Sequence, residues 1–381
     1  MLATVPATAS QGLNVSRPAV LDDGSDAKKY ITQKGTLTRD GGVNIAYELL
    51  QSEPASTTQI ALQVDAAGVT TTEAASSSAT NRFLMIMGFA ATGEAWLPTV
   101  KELFSRGGKS AGLEVAVFDN RGIGASSSPA DKRAYTTDVM AGDALAVMDA
   151  LGWARAHVVG HSMGAMIGCR LALTAPERLA SLTLVSATGG GSEAIPTNCT
   201  AIAAGVRGAM KSDLPSRASV DLAFHFSKRL LRQDDPATGR TVKAELKSQY
   251  VELQKATGGQ SRAGQDGHMN AVMSHSLSKQ EYARLRSAGF PILVIHGAED
   301  ILAAPRHAAR LARRLGAPLV MIGHSAHFTP RDAAKEVTDE LLATLEAVRR
   351  GATHADAVHP CPDPAAYERS ACAAALCCCF A

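Results

Sequence analysis

No apolar run in the chain reaches the roughly 18–20 residues needed to cross a bilayer, so a membrane-spanning protein is not expected. An excess of one charge is also missing. Lys and Arg number 38 against 36 Asp and Glu, a formal net charge of +2, which gives no reason to expect nucleic acid or an acidic surface as partner. The first twenty residues hold no acid, but only one basic residue, Arg17, and no long apolar core. That makes a poor export signal. The expectation is a disordered leader over residues 1–33 in a cytoplasmic protein, with an organellar transit peptide as the alternative.

Cofactor and metal signatures are incomplete or absent. The seven cysteines form no C-x-x-C pair and no repeated Cys/His ligand spacing, so no zinc site is expected. Without an export signal a disulfide framework is not expected either. Gly122-x-Gly124 lacks the third glycine of a dinucleotide fingerprint, because Ser127 stands there. Gly108-Lys109-Ser110 resembles the end of a phosphate-binding loop, yet Leu103 occupies that motif's first glycine position. No cofactor is expected. Five cysteines crowd the end of the chain, at 361, 372 and 377–379. Acylation of this tail is the one route to a membrane that the sequence suggests. Oligomeric state is left open.

What is present is a globular composition, 46% hydrophobic over 381 residues, with a regular alternation of elements. Residues 34–50 predict a β-hairpin around the turn Asp40-Gly41-Gly42. Residues 51–81, rich in Ser, Thr and Ala, predict a low-complexity insertion. A short unbroken apolar run follows at 83–87, and further strand-like segments at 114–118, 156–159 and 182–185. They have the look of parallel strands covered on both faces, and helical spacing separates them. From about 188 to 288 the alternation gives way to helical patterning, clearest at 222–231 and 242–253. It resumes with strands at 291–295 and 318–322 and helices at 305–315 and 332–349. The expected fold class is α/β: a mostly parallel sheet with helices on both faces. Its core is divided into 34–187 and 289–350, with a helical cap at 188–288 and a disordered Cys-rich tail at 351–381.

In such sheets, loops at the strands' carboxyl ends form the ligand site, so residues just past those ends carry the chemistry. Gly160-His161-Ser162-Met163-Gly164 follows one strand and opens a helix. This is the pattern of a nucleophile elbow, where a tight turn lifts a serine hydroxyl above the sheet. Serine needs a base to take its proton and a third group to orient that base. Asp300 follows a later strand in the pattern His-Gly-x-x-Asp. For the base there are His324 and His327. His327, five residues past Ile322 and ten before Val337, falls mid-turn and is favoured. His324 leaves the strand at once and is expected to point outward or to support the turn. Asp119 and Arg121 are read as fixing their loop, and His161 and His296 as structural. The direction of His275 stays open.

The order Ser162, Asp300, His327, together with the elbow and the glycine loops at strand ends, resembles the α/β-hydrolase superfamily over about residues 34–349. The resemblance implies an eight-stranded, mostly parallel sheet with a helical cap inserted after the sixth strand. It also implies a Ser–His–Asp triad of Ser162, His327 and Asp300, with an oxyanion hole formed by the backbone N–H groups of Phe89 and Met163. Two positions depart from the family pattern. The oxyanion loop begins Met87-Gly88 where His-Gly is usual, and Ala326 precedes His327 where glycine is frequent. A serine nucleophile argues against the aspartyl branches, the haloalkane dehalogenases and epoxide hydrolases. The implied activity is cofactor-independent hydrolysis of a partly apolar small molecule through an acyl-serine. The alternatives are a slow receptor on the same fold and a C–C hydrolase or lyase using the same residues.

Overall fold

Asp40-Gly41-Gly42 turns the chain back on itself because both glycines sit at φ +73°, a conformation that costs other residues. It joins β1 (Ile31–Arg39) to β2 (Val43–Gln51) as an antiparallel pair. The structure, a computed structural model, describes residues 18–52, 81–107, 112–195 and 213–357. After β2 come β3 (Arg82–Ile86), α1 (Leu97–Arg106), β4 (Glu114–Phe118), α2 (Thr137–Ala150), β5 (Ala156–His161), α3 (Met163–Thr174) and β6 (Leu179–Val185). Among the described residues five α-helices follow: α4 (Leu214–His225), α5 (Lys228–Leu231), α6 (Val242–Thr257), α7 (Arg262–Ser274) and α8 (Lys279–Arg286). The chain then continues through β7 (Ile292–Gly297), α9 (Pro305–Leu315), β8 (Leu319–Ile322), α10 (Thr329–Asp332) and α11 (Ala334–Arg349).

The eight strands form one sheet in the order β1-β2-β4-β3-β5-β6-β7-β8. β2 runs antiparallel to β4, and every pairing from β4 to β8 is parallel. Successive side chains on a strand face opposite ways, and the core divides accordingly. Leu84, Ile86, Val158, Leu184 and Val294 pack on one face against α2, α3 and α9. Phe83, Met85, Val159, Val185 and Ile295 pack on the other against α1 and α11. Both faces are covered, so the inner strands are mostly apolar, and the polar residues within them, among them His157, Ser181 and Thr183, are buried as well.

Capping residues start the helices where the chain allows it. The Thr136 side chain accepts from Val139 N–H at the head of α2, and Thr241, Ser261 and Ser278 do the same for α6, α7 and α8. The expected helix over 222–231 is two helices. Phe226 adopts extended angles (φ −126°, ψ 149°) and Ser227 caps a fresh start. α7 and α8 were not expected as separate helices. α7 lies on the loop after β4, and the end of α4 lies beside the loop after β8.

The reading of residues 1–33 as a disordered leader needs correction over its second half. Ala19–Leu21 and Ser25–Tyr30 form short helical turns, and β1 begins at Ile31. Val20 and Leu21 are buried against Leu222, Phe226, Val242 and Leu246, forming a third apolar cluster. Apolar burial and two hydrogen bonds hold them: Arg331 Nε–H donates to Val20 O (3.0 Å) and Gln249 Nε2–H to Leu21 O (3.2 Å). The head of the expected tail is also ordered, since His354 is buried and donates from Nε2 to Leu315 O (2.9 Å). Residues 1–17, nearly all of the 51–81 insertion, the Gly108-Lys109-Ser110 segment and the C-terminal cysteines lie outside the described residues. No helix among the described residues is long and apolar enough to cross a membrane.

Candidate active site

The loops past β3, β5 and β6 hold the three non-glycine residues with positive φ among the described ones: Ala90, Ser162 and Ser186. Strained backbone gathers where surrounding structure forces it, and all three lie at the carboxyl ends of adjacent strands. Ser162 (φ 53°, ψ −115°) turns between β5 and α3, with its N–H donated to Val185 O at 2.9 Å. The glycines around it leave no room for a side chain. A Cβ on Gly160 would collide with Gly164 O, and one on Gly164 with Ile86 O.

His327 stands opposite the serine on the loop after β8. Ser162 Oγ–H donates to His327 Nε2 at 3.1 Å, and His327 Nδ1–H donates to Asp300 Oδ2 at 2.8 Å. Asp300 follows β7, and its other oxygen, Oδ1, is fixed by the N–H groups of Leu302 and Ala303, both at 2.8 Å. The structure thus brings Ser162, His327 and Asp300 into one hydrogen-bonded chain. Burial holds the His327 imidazole down to about 3, with the nearby His225 adding to the effect. It lifts the Asp300 carboxyl to about 6. At neutral pH the imidazole is uncharged and the carboxylate ionised, which leaves the Nε2 lone pair free for the serine proton.

Other side chains hold this chain in place. His161 Nε2–H donates to the carbonyl of His327 at 2.9 Å, and His296 Nε2–H donates to Ala303 O at 2.7 Å, beside Asp300. Asp332 accepts from Ala326 N–H (2.9 Å) and Ser325 Oγ–H (2.6 Å), bracing the turn that carries His327. His324, on the same turn, is partly exposed, with Nε2 3.3 Å from a Glu336 carboxylate oxygen. Asp119 accepts from the N–H groups of Gly93 and Ala125, both at 2.9 Å. Arg121 forms a two-pronged pair with Asp143, 2.7 Å on each arm.

The loop after β3 is pressed against the serine. A Cβ on Gly88 would lie 2.9 Å from Ser162 Cβ and 3.1 Å from His161 O. Asn120 Nδ2–H donates to Met87 O at 2.8 Å. Phe89 follows, its side chain 37% exposed and its ring edge-on to His268 at 5.6 Å. Met163 is the first residue of α3, so its N–H has no acceptor within the helix.

Three residues near the site were not singled out from the sequence. His225, at the end of α4, lies 5.8 Å ring to ring from His327, and its carbonyl accepts from Phe328 N–H at 3.0 Å. His268, on α7, accepts from Ala90 N–H at 3.2 Å. Asp332 is the third. An acid in the first turn after His327 was a visible signal for Asp332, whereas nothing local marks the two histidines. His275, left open, is buried, with Nδ1 3.0 Å from Thr137 Oγ1. Among the described residues, no three His, Cys, Asp or Glu side chains gather as a metal site requires.

A family model described as alpha/beta hydrolase fold matches residues 81–333. The rhodomycin D methylesterase of a Streptomyces species is 32% identical over 268 residues, covering 64% of this chain and 84% of that one. The RutD protein of Caulobacter vibrioides, whose name assigns it provisionally to carbamate hydrolysis, is 42% identical over 103 residues. That match covers 27% of this chain and about a third, 36%, of the relative. The enol-lactonase of Burkholderia xenovorans superposes with a TM-score of 0.58 at 20% identity, over 82% of this chain and all of that one. The chain belongs to the α/β hydrolase fold family.

Proposed function

We propose that the protein is a serine hydrolase that cleaves an ester, thioester or related carbonyl compound through an acyl-enzyme on Ser162. The observation that carries this reading is the chain Ser162 Oγ–His327 Nε2, His327 Nδ1–Asp300 Oδ2, at 3.1 Å and 2.8 Å, around an imidazole that burial keeps neutral. In the first half-reaction His327 takes the serine proton as Oγ attacks the carbonyl carbon. It then returns that proton to the departing oxygen or sulfur. A water molecule repeats the sequence to release the acid. Asp300 holds the tautomer and stabilises the imidazolium that forms.

The oxyanion of each tetrahedral intermediate would take the N–H of Met163, at the positive end of α3, and that of Phe89. The helices between β6 and β7 are read as a cap over the strand ends, and the substrate as a partly apolar small molecule needing no cofactor. The relative named as a methylesterase, at 32% identity, supports an oxygen ester as the first class to test.

A fluorophosphonate probe tests the reading. The wild-type protein is expected to take one label, lost in Ser162→Ala, and to hydrolyse p-nitrophenyl esters with steady turnover. Folded protein that takes no label would overturn it. Labelling with a burst and no steady-state turnover would point instead to a slow receptor.

A further inference from the structure

We infer that His268 is a positioning residue for hydrolysis: from α7 it holds the backbone of Ala90 and thereby aims the Phe89 N–H at the developing oxyanion. The inference rests on the hydrolase reading above.

The hydrogen bonds fix the tautomer. His268 Nε2 lies 2.7 Å from Arg121 O, which can only accept, so Nε2 carries the proton. Nδ1 lies 3.2 Å from Ala90 N, which can only donate, so Nδ1 offers its lone pair. A single ring proton satisfies both. Gln260 Nε2 also approaches Nδ1, at 3.1 Å. The ring is fully buried, and burial holds it neutral, down to about 4. Protonation would set an N–H of the ring against the Ala90 N–H.

Ala90 sits at φ +57°, a region that strains any residue with a side chain, so something must hold it there. Gly88 anchors the loop against Ser162 on one side, and His268 takes the amide on the other. Phe89, between these two points, has its peptide plane set by both. The helix is shaped for this approach. A Cβ on Gly264 would strike Gly122 O, and one on Gly267 would strike the Tyr135 ring. This flat glycine face lets α7 settle onto the loop after β4, with His268 beside the loop after β3.

Two substitutions separate positioning from mere support. Asparagine places its Oδ1 near the position of Nδ1 and can still accept from Ala90. Glutamine reaches the position of Nε2 and can still donate to Arg121 O. His268→Gln is expected to lose about 10- to 100-fold in kcat with KM within about 3-fold, since a misaimed donor fails mainly in the transition state. His268→Asn is expected to stay within about 3-fold of wild type in kcat while melting lower. Hydrogen exchange over residues 87–93 should be faster in His268→Gln than in His268→Asn or wild type. A folded His268→Gln with wild-type kcat, or a His268→Asn that falls as far as His268→Gln, would overturn the inference. A wild-type protein that takes no fluorophosphonate would sink the hydrolase reading alone, and the exchange result would still show whether His268 holds the loop.

Discussion

Ser162 pays for its position in backbone strain: φ 53° with ψ −115° lies outside the regions open to residues with a Cβ. That cost can be measured apart from chemistry. Ser162→Gly and Ser162→Ala both remove the hydroxyl, but only glycine relieves the strain. The glycine variant is expected to be more stable by about 1 kcal/mol, read by urea unfolding. The proposed base and its partner would set the pH dependence. The proposed mechanism needs Asp300 ionised and His327 neutral, so kcat/KM should rise as pH climbs through about 6, where the Asp300 carboxyl loses its proton, and stay level through neutrality. His327, held at about 3, is already neutral over that range. Asp300→Asn keeps the shape but can leave the imidazole proton on the wrong nitrogen. A loss of about 10⁴-fold in kcat is expected from steady-state assays.

At the scale of elements, α7 is the part whose fit leaves least slack. Gly264→Ala would drive a methyl group into Gly122 O, and the helix must lift. Overpacking of this kind costs about 1–3 kcal/mol, to be read as a lower urea midpoint with the slope unchanged. The same close fit explains why α7 was hard to see in the sequence. A helix that docks through Gly264 and Gly267 shows no apolar stripe at helical spacing. α8 was missed for a related reason: of KQEYARLR only Tyr282 and Leu285 are buried apolar anchors, although its capping box, Ser278 with Glu281, was legible. The sheet was readable because strands covered on both faces are mostly apolar, and the hairpin because Gly41 and Gly42 supply its positive φ. The meeting of Ser162, Asp300 and His327 was readable because each follows a strand whose carboxyl end faces the same crevice. His225 and His268 reach the site from the intervening helices by tertiary packing, which local pattern does not record.

For the whole molecule, the buried histidines set the response to acid. His161, His268, His275, His296 and His327 are all held below their ordinary value, mainly by burial. As pH falls below about 6.5 the unfolded chain takes up protons that these groups refuse in the native state, so stability is lost. Asp300 and Asp332 are raised by burial to about 6 and oppose this between about 6 and 4, and Asp119, also raised by burial, acts in the same direction. Below about 4 that opposition ends. Melting temperature is therefore expected in calorimetry to be level above neutrality and to fall as pH drops below about 6.5, with the fall slowed between about 6 and 4 while Asp300 and Asp332 take up protons.

The contact between Val20 and Arg331 spans 311 positions of sequence, and its consequence is one of timing. Contacts at such separation form late, because the chain must close a very long loop before gaining from them. Arg331 follows His327 by four residues, and Phe328 N–H is bonded to His225 O, so the loop of the proposed base is completed only when both distant segments have docked. During synthesis the serine elbow leaves the ribosome long before its base can be seated. On refolding from urea, recovery of fluorophosphonate labelling should lag behind recovery of helical circular dichroism, with the interval set by docking of residues 18–22.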